Sequence, residues 1–258
     1  MRLFDTHAHY YADAFDADRD EVLSALAGAG VERVVCPGCD LETTRQSMEL
    51  AEKYPFLYFA AGIHPEDLEG VTLDDLAQVE AMAAHPKCVA IGEIGLDYYW
   101  VKTSEARENS RRFFDAQLTL AEKLDKPVIV HDRDAHRDTM DIALVHPGVR
   151  GVLHCCTLSA VDAKAMAEKG WHISLTGNVT FETARRALEV IAAVPLDKLM
   201  LETDSPYMTP VPFRGRRNDS RYVYRVAETI ARIKGLDVET VAEATFQNGL
   251  RFFGLGEG

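Results

Sequence analysis

Eight times along this chain a short, continuously apolar run gives way to a stretch of helical period. The apolar runs fall at 3–6, 33–36, 57–62, 89–93, 128–131, 151–154, 172–175 and 198–202, and are rich in Val, Ile, Leu and Phe. Runs that do not alternate with polar residues belong to strands covered on both faces, as in a parallel sheet. The helical stretches lie at 18–29, 42–53, 73–84, 105–124, 135–144, 160–168, 181–193 and 221–233. In the first, Val22, Leu23 and Leu26 recur at helical spacing while Arg19, Asp20 and Glu21 face elsewhere. Eight strands, each followed by a helix, is the count of an α/β chain folded as a (β/α)8, or TIM, barrel. A doubly wound open sheet competes, but no GxGxxG follows the first strand to support it. Segments 238–245 and 247–253 read as a helical C-terminal cap. No low-complexity tract or Pro/Ser-rich linker interrupts the pattern, so residues 1–258 are expected to form a single barrel domain.

The strand ends carry unusual polarity. The first run closes in Asp5-Thr-His7-Ala-His9, where alternate side chains of an extended segment share a face. The third ends in Gly62-Ile-His64-Pro65, the fourth in Gly92-Glu93-Ile-Gly-Leu-Asp97, the fifth at His131, the sixth at His154, and the eighth in Leu201-Glu202-Thr203-Asp204. In a barrel these ends share one rim, where active sites are built. A single strand-end histidine is commonly a hydrogen-bonded loop residue, and a lone Glu93 or Asp204 a cap or an ion-pair partner. Five of the nine histidines at strand ends is a different matter; His85, His136, His146 and His172 lie elsewhere. Clustered imidazole and carboxylate donors without thiolate suit Zn, Mn or similar divalent ions. His7, His9, Glu93, His131, His154 and Asp204 offer six donors, too many for one closed tetrahedral site. Two divalent metal ions sharing a carboxylate is the economical arrangement, and its chemistry is hydrolysis.

These segments resemble, in order and across nearly the whole chain, the TatD family of metal-dependent deoxyribonucleases. The resemblance rests on His7-Ala-His9, Gly62-Ile-His64-Pro65, Gly92-Glu-Ile-Gly-Leu-Asp97-Tyr98, Pro127-Val-Ile-Val-His131 and Gly151-Val-Leu-His154-Cys155. Leu201-Glu-Thr-Asp204-Ser-Pro206-Tyr207 and the Arg214-Gly-Xaa-Xaa-Asn218 segment complete it. It implies a barrel of the amidohydrolase superfamily. In that family pattern His7, His9, Glu93 and Asp204 hold one ion, and Glu93, as bridge, joins His131 and His154 around the second. Asp204 is then the candidate general base, and His64 a contact to substrate phosphate or an acid. The chain departs from the pattern at Cys155-Cys156-Thr157-Leu158-Ser159 and at Ser220, where proline is common; the ligands are untouched. The fourth strand offers Glu93 and no lysine to carboxylate, which favours the nuclease subgroup over a small-molecule amidohydrolase, lactonase or phosphoesterase on the same barrel.

Net charge, taken alone, opposes a nucleic-acid substrate. With 28 Lys+Arg against 41 Asp+Glu the net charge is −13, and such a field repels phosphate. The exception is local. The loop after the last strand holds Arg214, Arg216, Arg217 and Arg221 against Asp219 alone, and guanidinium forks suit phosphate oxygens. Arg133, two residues beyond His131, and Lys102 are further cationic candidates. Tyr98, Tyr99 and Trp100 offer stacking surfaces for bases, or a hydrophobic lid. The expected partner is therefore DNA at one local site, with no membrane and no obligate protein partner, the chain acting as a monomer. No apolar run approaches the roughly 18 residues of a membrane span, and the first residues lack a signal-peptide core. Five cysteines are too few for a disulfide framework, so a reduced, cytoplasmic setting is expected. Cys36-Pro-Gly-Cys39 looks like a redox motif, but the rest of the chain lacks a thioredoxin plan; it reads as two thiols of the second βα loop.

Overall fold

The computed structural model describes residues 1–256. Its eight strands are hydrogen-bonded in the order β1 to β8. With helices alternating between them this is the α/β (β/α)8 barrel expected from the apolar runs. The chain divides into two compact units, Met1–Cys36 with the chain from Cys155 onward, and Pro37–His154.

In the first unit β1 (Leu3–Asp5) pairs in parallel with β2 (Val31–Pro37). β7 (His172–Leu175) pairs in parallel with β8 (Leu199–Leu201), and the Thr6 amide donates to Leu201 O at 3.0 Å. Its helices are α1 (Arg19–Ala25), α6 (Ala160–Glu168), α7 (Arg185–Ala193), α8 (Tyr224–Lys234) and α9 (Val238–Phe253). Three of these differ from the sequence pattern. α1 stops at Ala25 because Ala27–Ala29 tightens into a 3-10 turn. α7 begins only at Arg185, after the 3-10 turn Gly177–Thr180 and an extended Phe181. The two expected C-terminal segments are one helix, α9, running through Gly249 without a break. A Cβ at Gly249 would lie 2.5 Å from the Phe4 ring, so glycine is needed for α9 to sit down on β1. Phe4 is in turn flanked by Phe246 and Phe253, with ring centroids 6.1 and 5.7 Å away.

The second unit holds α2 (Leu41–Lys53), β3 (Leu57–Ala61), α3 (Leu76–Ala83), β4 (Cys88–Asp97), α4 (Ser104–Leu124), β5 (Val128–Arg133), α5 (His136–Leu144) and β6 (Gly151–Leu153). Side-chain caps start its long helices. Asp40 accepts the Thr43 amide at 2.7 Å in a capping box on α2, and Thr103 accepts the Ala106 amide on α4. β3, β4, β5 and β6 pair in parallel in that order. β4 does not end at Glu93 as its composition suggested but continues to Asp97, entirely buried. The pairing shifts register between Ile91 and Ile94, an irregularity of the kind that re-aims a strand side chain. Glu93 sits inside that shift. Among the described residues no helix is long and apolar enough to cross a membrane.

Candidate metal centre

Each unit gathers its own set of the predicted ligands. In Pro37–His154 the centre is Glu93, only 3% exposed. Its Oε1 lies 3.1 Å from His131 Nδ1, 3.2 Å from His154 Nε2 and 3.4 Å from His64 Nε2. Four different segments supply these groups: β4, β5, the residue after β6 and the loop after β3. The Glu93 amide is held by Gly38 O at 3.0 Å, and Gly38 N–H in turn by Ala60 O. The Cys36-Pro-Gly-Cys39 segment thus serves through its backbone. Among the described residues no cysteine is in a disulfide, and the Cys39 thiol points at Glu93 Oε2 from 3.9 Å.

His131 is positioned from behind. Its Nε2 meets Asp97 Oδ2 at 2.9 Å, while Asp97 Oδ1 accepts the Trp100 amide at 2.7 Å. Burial would lower the His131 pKa, but the Asp97 and Glu93 carboxylates outweigh it and raise it to about 9. Burial likewise works to raise the Asp97 carboxyl; the hydrogen bonds from His131 and Trp100, with the charges of His131 and Arg133, hold it below the usual carboxylate range. A carboxylate behind a histidine fixes ring orientation and strengthens it as a ligand. Asp97→Asn is therefore expected to cost about 10- to 100-fold in metal affinity or activity with the fold intact. Metal titration followed by activity checks this, and wild-type affinity would remove Asp97 from the role. His64 differs from its neighbours: its Nδ1 accepts the Glu66 amide at 3.3 Å, and its Nε2 faces Glu93 Oε1 at 3.4 Å.

In the other unit the His7 and His9 Nε2 atoms lie 3.1 Å apart. Asp204 Oδ1 is 3.2 Å from His9 Nε2 and 3.9 Å from His7 Nε2. Backbone bonds lock the three together, Asp204 N–H to His7 O at 2.9 Å and His9 N–H to Ser205 O at 2.7 Å. Asp204 adopts a left-handed conformation, φ 55°, which aspartate tolerates better than most residues and which marks a constrained position. Beneath them Asp5 accepts both the amide (2.9 Å) and the hydroxyl (2.5 Å) of Thr203. Burial pushes the Asp5 carboxyl up to about 7, with hydrogen bonds from Ser220 and Thr203 opposing. Asn218 donates to Thr203 O and Tyr207 O, which explains its place in the Arg214–Asn218 segment.

The donor chemistry of both sets fits divalent ions. Within each of the trios His7/His9/Asp204 and Glu93/His131/His154, the ligand atoms lie within 4.8 Å of one another. Imidazole nitrogens facing a buried carboxylate oxygen, with no thiolate in either trio, suit Zn²⁺, Mn²⁺ or Mg²⁺-like ions.

Of the loop arginines, two brace the fold. Arg217 forks onto Asp18 with two contacts of 2.7 Å, and Arg221 onto Asp219 with two of 2.8 Å. The local excess of positive charge is smaller than the loop's own composition implies. Arg214, stacked 4.1 Å over Phe181, and Arg216 are exposed, as is Arg133, 3.9 Å over Tyr99. The Arg107 guanidinium lies 4.3 Å over the Tyr98 ring, whose hydroxyl is bonded to Asp138 and Arg111. Sequence reasoning did not single out Asp97 and Asp5 as the groups that position the ligands; the signal was an acidic residue ending an otherwise apolar strand.

A (β/α)8 barrel carrying imidazole and carboxylate groups after several strands is the architecture of the metal-dependent barrel hydrolases. Within that class the chain belongs to the TatD related DNase family, whose model matches residues 4–254. It is 42% identical over 254 residues to the Bacillus subtilis (strain 168) protein named "Uncharacterized metal-dependent hydrolase YabD", covering 97% of this chain and 98% of that one. To the Citrobacter rodentium (strain ICC168) protein named "3'-5' ssDNA/RNA exonuclease TatD" it is 35% identical over 263 residues, covering 98% of each. The crystal structure of YjjV, a TatD homologue from Escherichia coli K12, matches with a TM-score of 0.91 at 31% identity over 99% of both chains.

Proposed function

We propose that this chain is a metal-dependent hydrolase that removes nucleotides from an accessible end of DNA by cleaving phosphodiester bonds. The observation that carries the reading is the single buried carboxylate oxygen of Glu93 faced by three imidazole nitrogens. Family membership and the exonuclease name of the Citrobacter relative support DNA as substrate and the 3′ end as the point of attack. In this reading His7, His9 and Asp204 would hold a divalent ion in one unit, and Glu93, His131 and His154 would hold one in the other. A divalent ion held by these residues would supply a water of lowered pKa and charge to offset that on the attacking and leaving oxygens.

The protein's own groups do the rest. Asp204 takes up the proton of the attacking water at its carboxylate. His64, its Nε2 turned into the Glu93 cluster, donates to a phosphate oxygen. Arg133, Arg214 and Arg216 grip the phosphates through guanidinium forks. Asp97 keeps the His131 ring from turning, and Asp5 steadies the loop that carries Asp204. With a net charge of −13, the body of the protein repels duplex DNA, so binding is confined to the site and product leaves readily. The chain acts as a monomer in the cytoplasm.

The test is one activity panel. Metal-reconstituted protein is offered single- and double-stranded DNA, RNA, small phosphoesters and lactones. Single-stranded DNA shortened from its 3′ end, faster than the small substrates turn over, is the expected result. Turnover of a lactone or a small phosphoester with none of DNA would replace the reading with a small-molecule hydrolase.

A further inference from the structure

The loop after β4 exposes two adjacent aromatic rings beside the Glu93 cluster's own supports. Tyr99 is 41% and Trp100 57% exposed, and they meet edge to face at 4.8 Å and 88°. Two cations grip Tyr99. The Arg133 guanidinium lies 3.9 Å from its ring centroid and Lys102 Nζ 4.9 Å, while Arg133 also approaches the Trp100 ring at 5.9 Å. Large aromatics are costly to leave in water, and cations over a ring hold it in one orientation. The pair is also tied to the ligand cluster: Trp100 N–H bonds Asp97 Oδ1, Asp97 Oδ2 bonds His131, and His131 Nδ1 faces Glu93. Three hydrogen-bonded steps thus fix the loop carrying the indole against the phosphodiester-cleaving groups.

We propose that Trp100 is a base-stacking platform for single-stranded nucleic acid, with Tyr99 as its buttress and Arg133 and Lys102 taking the adjoining phosphate. The occupant follows from the chemistry. A flat π-face flanked by two cations matches an unstacked base joined to an anionic backbone, and every base has such a face. A paired end keeps its bases inside the duplex, so the platform selects frayed or single-stranded ends without selecting sequence. The inference rests on the nuclease reading for its biological role, but the stacking can be measured without catalysis.

Fluorescence supplies that measurement. The chain has two tryptophans, and Trp171 is buried at 4% exposure, so Trp100 is the one a ligand can reach. Titrating a short single-stranded oligodeoxynucleotide into the metal-free protein should quench the emission, and the quench should vanish in Trp100→Phe. Kinetically, Trp100→Ala should raise KM for that oligonucleotide about tenfold with the larger effect on KM than on kcat, and Trp100→Phe should recover most of it. On an oligonucleotide abasic at its terminal positions the wild type and Trp100→Ala should have similar KM. An absent quench, a quench that survives in Trp100→Phe, or a KM rise that is equal on the abasic strand would overturn the platform. If the quench is present but DNA is never hydrolysed, the nuclease reading fails while the platform stands.

Discussion

Replacing Glu93 by alanine is expected to abolish turnover, lowering kcat/KM by about a thousandfold or more. The reason is local. One Glu93 oxygen faces nitrogens of His64, His131 and His154 within 3.4 Å, so its removal leaves three imidazoles with no anion between them. Metal-ion stabilisation is worth several kcal/mol of the barrier, and each 1.36 kcal/mol is a factor of ten in rate. Elemental analysis should show fewer ions per chain than in the wild type, with circular dichroism confirming the fold. Glu93→Gln, which keeps the volume and removes the charge, should behave the same way. A metal content equal to that of the wild type in either variant would refute Glu93 as a metal ligand.

A second large effect is expected at a residue that touches no substrate. Gly95 pairs with His131 across β4 and β5 and has φ 137°, a region L side chains rarely adopt. A Cβ there would lie 2.0 Å from the His131 carbonyl oxygen, inside any permitted contact. Gly95→Ala must push β5 away just where it carries His131, or distort β4 next to Glu93. Overpacking and backbone strain together are expected to cost about 3 kcal/mol. For a chain of this size that is a fall in Tm on the order of 10 °C. Activity should fall further than stability alone explains, because ligand geometry is tightly coupled to rate. Thermal unfolding and metal binding, measured side by side, check this. A wild-type Tm with wild-type metal affinity would show that the strand yields at no cost.

The same glycine shows where sequence reading stops. The apolar run of the fourth strand read as 89–93, ahead of Asp97. In the structure a register shift between Ile91 and Ile94 carries the strand on to Asp97, with Gly92 inside the shift and Gly95 just beyond it. The histidines at the ends of the apolar runs were legible because the pattern is local: a buried strand has no other use for imidazole at its end. His7, His9, His64, His131 and His154 each stand where that pattern placed them. Pairings across long stretches of chain were not legible. Arg217 read as a phosphate contact because its partner, Asp18, is 199 residues away. Asp97 read as one more strand-end acid because its role depends on a histidine 34 residues on. Continuity of α9 through Gly249 was hidden for a similar reason, since the ring that demands a glycine belongs to Phe4.

The central claim is that the imidazole and carboxylate clusters work by holding divalent ions that cleave a phosphodiester. The most direct measurement is the rate at which a single-stranded oligodeoxynucleotide is shortened before chelation, after exhaustive removal of metal, and after Mg²⁺, Mn²⁺ or Zn²⁺ is added back. Activity before chelation, none after metal removal, and activity restored on adding the ion back is the expected result. Undiminished turnover in excess chelator, with metal content confirmed to be negligible, would contradict it.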